Sequence, residues 1–240
     1  MATRKHIGTA GWGISGELSQ RFSGAGSALA RYARVFDAVE INSSFYRRHR
    51  PSTWQNWHDA VPAHFRFSVK LPRTITHERQ LVDAEEEIAA FADDVALLGE
   101  KLGPILVQLP PSLAFERARA ALFFTLLRRR LSGQVVIEPR HVSWGQPDVD
   151  AVLAESDIGR VFADPQKPEL RREPRARSFT YLRLHGAPRV YFSAYSVQEL
   201  TRYAQIMREA QADIWCIFDN TASGAALRNG LELQAILARM

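Results

Sequence analysis

Phe65-Arg66-Phe67-Ser68-Val69-Lys70-Leu71 alternates apolar and polar side chains residue by residue. A period of two marks a β-strand whose faces meet different surroundings. One face carries Phe65, Phe67 and Val69; the other carries Arg66, Ser68 and Lys70. The division recurs elsewhere. Val39 and Ile41 oppose Glu40 and Asn42, and Val135 and Ile137 oppose Glu138 and Arg140. Leu182 and Leu184 oppose Tyr181, Arg183 and His185. Burying such charges without partners costs several kcal/mol per ion. The polar faces therefore meet one another around a solvent-filled pocket, or close into a structural network of ion pairs.

Outward from this strand, seven further segments read the same way, being short, rich in Val, Ile, Phe and Tyr, and bounded by turn residues. The eight are His6–Gly11, Val35–Asn42, Phe65–Leu71, Pro104–Leu109, Gln134–Pro139, Gly159–Asp164, Phe179–His185 and Asp213–Phe218. Helical patterns separate them: Ser27–Arg34, a short helix capped by Ser52, Asp83–Gly99, Ala114–Leu131, Pro147–Glu155, Ser196–Ala210 and Gly224–Arg239. Ser196 and Glu199 have the spacing of a capping box. Alternating strand and helix indicate parallel βαβ units. Eight of them in 240 residues predict an α/β fold, a closed (β/α)8 TIM barrel forming a single domain over residues 1–240. The competing open doubly wound sheet lacks its GxGxxG after the first strand. The irregular stretch is Pro165–Ser178, with Arg171, Arg172, Arg175 and Arg177 where a sixth helix would stand.

Composition bounds the function classes. The hydrophobic fraction is 46% and the charged fraction 24%, as in ordinary globular domains. No apolar run approaches a membrane span of about 18 residues, so no membrane partner is expected. The lone Cys216, without a disulfide partner, and a start with no signal-peptide pattern fit a cytoplasmic protein. The net charge of +5 favours anionic partners. Arginine supplies nearly all of it, since the only lysines are Lys5, Lys70, Lys101 and Lys167.

Read together, the segments resemble the YecE-like family (domain of unknown function 72). The matching pieces are Gly8-Thr9-Ala10-Gly11-Trp12, Glu40-Ile41-Asn42-Ser43-Ser44-Phe45-Tyr46, Phe65–Lys70 with Thr76-His77, and Leu106-Val107-Gln108-Leu109-Pro110-Pro111. They continue with Glu138-Pro139-Arg140 and Ser143-Trp144, then Ala163-Asp164, Tyr181-Leu182-Arg183-Leu184-His185-Gly186 and Asp219-Asn220. The resemblance implies a TIM-type barrel and carries no reaction with it. The chain departs from the family in having Asp219-Asn220 where paired asparagines are expected, and in its basic 165–178 stretch.

Barrel enzymes keep their chemistry where strands end at the C-terminal mouth. The candidate catalytic groups are Glu40, Glu138, His77 and His185, carboxylates and imidazoles suited to acid/base work. Glu40 reads equally as an ion-pair partner of Lys70 or Arg140. Lys70, Arg140 and Arg183 suit an anionic substrate, with Asn42, Gln108, Asp164, Asp219 and Asn220 beside them. Neighbouring carboxylates would keep Lys70 charged, which disfavours a Schiff base. Trp12, Tyr46, Trp144, Tyr191 and Tyr195 could stack on a sugar or base, or merely pack the loops. Cys216 reads as buried and inert.

The function expected is an enzyme acting on a small anionic or polyhydroxylated (sugar- or phosphate-bearing) substrate. Two alternatives stand beside it: a nucleic-acid-binding barrel resembling AP-endonucleases, and a non-catalytic metabolite-binding protein. No cofactor is expected. Glu40, Glu138, Asp164, His185 and Asp219 leave a divalent metal as an alternative, although no compact motif such as HExxH supports it.

Overall fold

The computed structural model describes residues 3–171 and 179–240. Arg172, Arg175 and Arg177 of the basic stretch lie outside the described residues. All eight expected strands form, each within two or three residues of the expected bounds: β1 (Lys5–Thr9), β2 (Ala38–Ile41), β3 (Arg66–Lys70), β4 (Leu102–Gln108), β5 (Val135–Glu138), β6 (Gly159–Asp164), β7 (Phe179–Leu184) and β8 (Asp213–Phe218). Every paired neighbour is parallel, in the order β1-β8-β7-β6-β5-β4-β3-β2. The ring is nearly closed. Between β1 and β2 a single bridge, Ala10 to Glu40, replaces a ladder, with the Gly11 amide donating to the Glu40 carbonyl at 2.8 Å. This seam needs a glycine: a Cβ on Gly8 would stand 2.2 Å from the Ala38 carbonyl oxygen.

The helices are α1 (Ala28–Tyr32), α2 (Pro51–Asp59), α3 (Glu85–Ala96), α4 (Arg117–Arg130), α5 (Pro147–Glu155), α6 (Val197–Glu209) and α7 (Ala225–Leu237). The Ser196–Glu199 capping box forms at α6 as its spacing predicts. Three expected starts shift. Helix α4 opens at Arg117, capped by Glu116, rather than at Ala114. Pro51, not Ser52, opens α2, because a proline's fixed φ suits the first helical position. Asp83 stands outside α3 in a left-handed turn (φ 48°), and Ala84 precedes the helix. Between β6 and β7 the described residues form only a 3₁₀ turn, Pro168–Leu170. Among the described residues, no helix is long and apolar enough to cross a membrane.

Strand alternation sorts the core into two layers. Val39, Ile41, Phe67, Val69, Val135, Ile137, Leu182 and Leu184 pack outward against helices. Leu106, Val136, Val161, Ala163, Tyr181, Trp215 and Ile217 fill the lumen. Trp215 stacks on Tyr181 with centroids 6.1 Å apart and meets His6 at 4.5 Å. Burial of each such large side chain contributes roughly 1.5–3 kcal/mol. The lumen is thus filled near its N-terminal end, and the polar residues lie above this plug.

Candidate functional site

Arg183 stands at the centre. It is 1% exposed, and its guanidinium reaches three strands at once. Nε and Nη2 donate to the two carboxylate oxygens of Glu40 at 3.0 and 2.8 Å. Nη1 donates to Glu138 at 3.1 Å, and Nη2 lies 3.1 Å from Asp219. This is the bidentate recognition for which arginine is built. A second line of donors supports it. Ser68 donates to the Tyr181 hydroxyl at 2.8 Å, and that hydroxyl donates to Glu40 at 3.0 Å. Burial and the nearby Glu40 carboxylate hold the Tyr181 hydroxyl protonated, well above its ordinary pKa.

His185 closes the other side. Its Nδ1 lies 3.0 Å from Asp219 and its Nε2 2.9 Å from Glu138. Both partners are carboxylates, so both ring nitrogens donate and the ring is an imidazolium. Burial lowers its pKa, but Glu138 and the bond to Asp219 outweigh burial and raise it. The Arg140 guanidinium shares the same Glu138 oxygen at 2.6 Å. Burial would raise the Glu138 pKa, yet Arg140, His185 and Arg183 hold it well below the usual carboxylate range. Asp219 is lowered too, by Arg183 and His185 against burial. Asp219 is thus an anionic partner of both buried cations.

Lys70 is different. It ends β3 and is only 5% exposed, yet no carboxylate lies within ion-pair reach and its Nζ makes no hydrogen bond among the described residues. The ammonium rests on the face of Phe45, 3.9 Å from its centroid. Burial first, then the Arg183 charge, lower its pKa to about 8, against smaller opposite effects from Glu40, Asp219 and Glu138. Glu40 pairs with neither Lys70 nor Arg140, the two ion-pair partners weighed for it, because Arg183 and Tyr181 take both of its oxygens.

His77 follows β3 in a π-helical turn, Thr74–Glu78. Its Nδ1 is held by the Thr76 hydroxyl at 2.8 Å, and its ring meets the edge of Phe45 at 4.9 Å. Burial, then Lys70, Arg73 and Arg140, lower its pKa, so it is neutral at pH 7. Two further polar atoms are buried here without a partner: Asn42 Oδ1 and Arg140 Nε. Tyr191, in a left-handed conformation (φ 69°), stands edge-on to His185 at 5.6 Å. Tyr46, 68% exposed, marks the rim beside Phe45.

Other candidates lie elsewhere. Asp164 alternates with the lumen residues Val161 and Ala163, and its carboxylate turns outward to the Tyr203 hydroxyl. Arg66 donates to the Ala63 and Phe65 carbonyls at the opposite end of β3. Trp144 is buried, with its indole N–H on the Leu113 carbonyl and its ring against Phe115. The Tyr195 hydroxyl ties the Gly186 amide to the Asp164 carbonyl. Trp12 packs edge-on against Trp57. Asn220 donates to Ser193 and Asn229, anchoring the loop after β7. Gln108 closes β4 in register with Glu138. Glu40, Glu138 and Asp219 enclose a guanidinium, and no group of three or more metal-type donors forms among the described residues. A cleft of about 630 Å³ lies at the other end of the barrel, lined by Lys5, Asp37, His64 and Met240; none of the clustered charges reaches it.

Residues 6–240 match the family described as "Protein of unknown function DUF72". The chain belongs to this family. Among its relatives, the UPF0759 protein YunF of Bacillus subtilis is 26% identical over 97% of this chain and 94% of its own length. A DUF72 protein of Enterococcus faecalis superposes with a TM-score of 0.81 at 24% identity, covering 98% of this chain and 95% of that one. The 3-keto-D-glucoside 4-epimerase of Escherichia coli shares the fold at TM-score 0.52 and 11% identity, over 99% of this chain and all of that one.

In this DUF72 chain, two features of the mouth escaped the sequence reading. Phe45 is the surface shared by Lys70 and His77, although its motif was visible. Ser43 and His49 form a pair, Oγ to Nε2 at 2.9 Å, with His49 edge-on to Trp54 and Trp57. A serine and a histidine six residues apart form no recognisable motif; only the turn after β2 brings them together.

Proposed function

We propose that the chain is an enzyme acting on a small anionic, sugar- or phosphate-bearing substrate at the C-terminal mouth. Lys70 and Arg140 hold the anion, and His77 moves the proton. The observation that carries this reading is the unpaired charge of Lys70. Four cations, Lys70, Arg140, Arg183 and His185, face three carboxylates, and those three are taken by the other cations. A buried ammonium without a counter-ion destabilises the fold by up to about 3 kcal/mol for a shift of this size. An anionic ligand relieves that cost.

Glu40, Glu138 and Asp219 then position Arg183 and His185 rather than take protons from substrate. His77 is the group suited to acid/base work: it is partly accessible, neutral at pH 7, and its Nε2 makes no hydrogen bond among the described residues. The similar fold of the 3-keto-D-glucoside 4-epimerase assigns no substrate or chemistry to this chain.

Calorimetry with inorganic phosphate, joined to mass spectrometry of co-purifying small molecules, tests the reading. Phosphate binding that weakens at least about tenfold in Lys70→Met supports it. Equal affinity in both proteins, with no anionic metabolite carried through purification, overturns it.

A further inference from the structure

Resting on that reading, we infer that Lys70 is also a nucleophile, and that the substrate carries a carbonyl group which Lys70 captures as an imine. Three observations converge. The first is the choice of residue. Only four of the 31 basic residues are lysines. An anion-binding position in so arginine-rich a chain is better served by arginine, which gives two bonds to an oxyanion. What lysine adds is an amine that can lose its proton. The second is isolation. Lys101, the other buried lysine, is tied to the His58 and Val61 carbonyls at 2.6 and 2.8 Å, and its Nζ is occupied. Nζ of Lys70 has no such partner, and Arg183 nearby favours its neutral form. The third is the company it keeps. His77 and Lys70 lie against the same Phe45 ring, and the Arg140 charge is near enough to His77 to lower its pKa.

The step balances with one proton taken back from solvent, the one that the Lys70 ammonium releases on becoming neutral. Neutral Nζ adds to the carbonyl carbon, forming the C–N bond as the carbonyl π pair moves to oxygen. His77 takes one proton shed by Nζ and passes it to the carbonyl oxygen. A second proton, taken up from solvent through His77, lets that oxygen leave as water while the nitrogen keeps its last proton. The C–O bond breaks, and one water leaves for each imine formed. The protonated imine restores a cation over Phe45, where the ring face favours positive charge. It also draws electrons from the adjacent carbon, whose proton becomes labile.

The probe is glyoxylate, a small anionic carbonyl, with sodium cyanoborohydride to fix the imine and peptide mass spectrometry to locate it. Four lysines make the map short. Lys70 is expected to be modified at least about tenfold faster than Lys5 or Lys167 at pH 7.5, with a rate that rises through about pH 8. Added phosphate slows it. Lys70→Arg keeps phosphate binding and loses the modification. Modification of Lys70 no faster than Lys5, while phosphate binding still depends on residue 70, overturns the imine and leaves the anion site standing. Phosphate binding indifferent to Lys70→Met removes both.

Discussion

Arg183 on β7 and Lys70 on β3 are cations buried in the same lumen, and their surroundings are opposite. Arg183 has three carboxylates, one of them bidentate, and its pKa stays well above the ordinary value despite complete burial. Lys70 has an aromatic face and no carboxylate. The contrast separates scaffold from site. Where every donor finds an acceptor, the fold is stabilised and no bonding capacity is left for a ligand. Where burial is left uncompensated, the fold gives up stability, and a buried unpaired charge is the kind of perturbed group that gathers at functional sites.

The sharpest way to break the comparison is to remove each cation in turn. Arg183→Met leaves Glu40, Glu138 and Asp219 facing one another. A loss of roughly 3–5 kcal/mol is expected in urea denaturation, or failure to fold. Lys70→Met should do the reverse, raising stability at pH 7 by about 1–3 kcal/mol while lowering phosphate affinity. The sign follows from linkage. The folded pKa lies below the unfolded one, so the wild type gains stability as pH rises from about 8 towards the unfolded value. The advantage of the methionine variant should shrink over that window. A Lys70→Met protein less stable than wild type at pH 7 would end the contrast.

Acid sharpens it from the other side. Glu138 and Asp219 are held below their ordinary pKa values. Their stabilisation is present above the unfolded pKa and lost as pH falls through the folded one; an acid titration of Arg183→Met should lose mainly the Asp219 part, since Arg140 and His185 still hold Glu138. A smaller effect is expected at Ser68→Ala, which removes one buried donor to Tyr181, about 1 kcal/mol by thermal denaturation. The smallest is Tyr46→Ala at the rim, within about 0.5 kcal/mol of wild type.

Alternation along β2, β3, β5 and β7 was enough to place Glu40, Lys70, Glu138, Arg183 and His185 inside one lumen. The same rule, carried consistently, would have turned Asp164 outward, since Val161 and Ala163 share its strand. Pairing was not legible. Glu40 and Arg183 are 143 residues apart, and nothing local says that Arg183 rather than Lys70 takes the Glu40 carboxylate. Lys70 therefore read as a lysine kept charged by neighbours, when its neighbours were already engaged. The aromatics misled for a related reason. Trp144 and Tyr195 sit in mouth loops, but an indole N–H or a phenol can be satisfied by a carbonyl across the loop, and only coordinates reveal that.

The seam between β1 and β2 has a mechanical side. A single rung holds these two staves, and the residue on that rung is Glu40. Its side chain spans the hollow to Arg183 on the far wall. The ionic cluster is therefore a tie-rod: it braces from within the joint that the hydrogen-bonded hoop leaves nearly unstitched. Slackening the rod should loosen the joint first, with the Gly11 amide exchanging its hydrogen before those of the β7–β8 ladder.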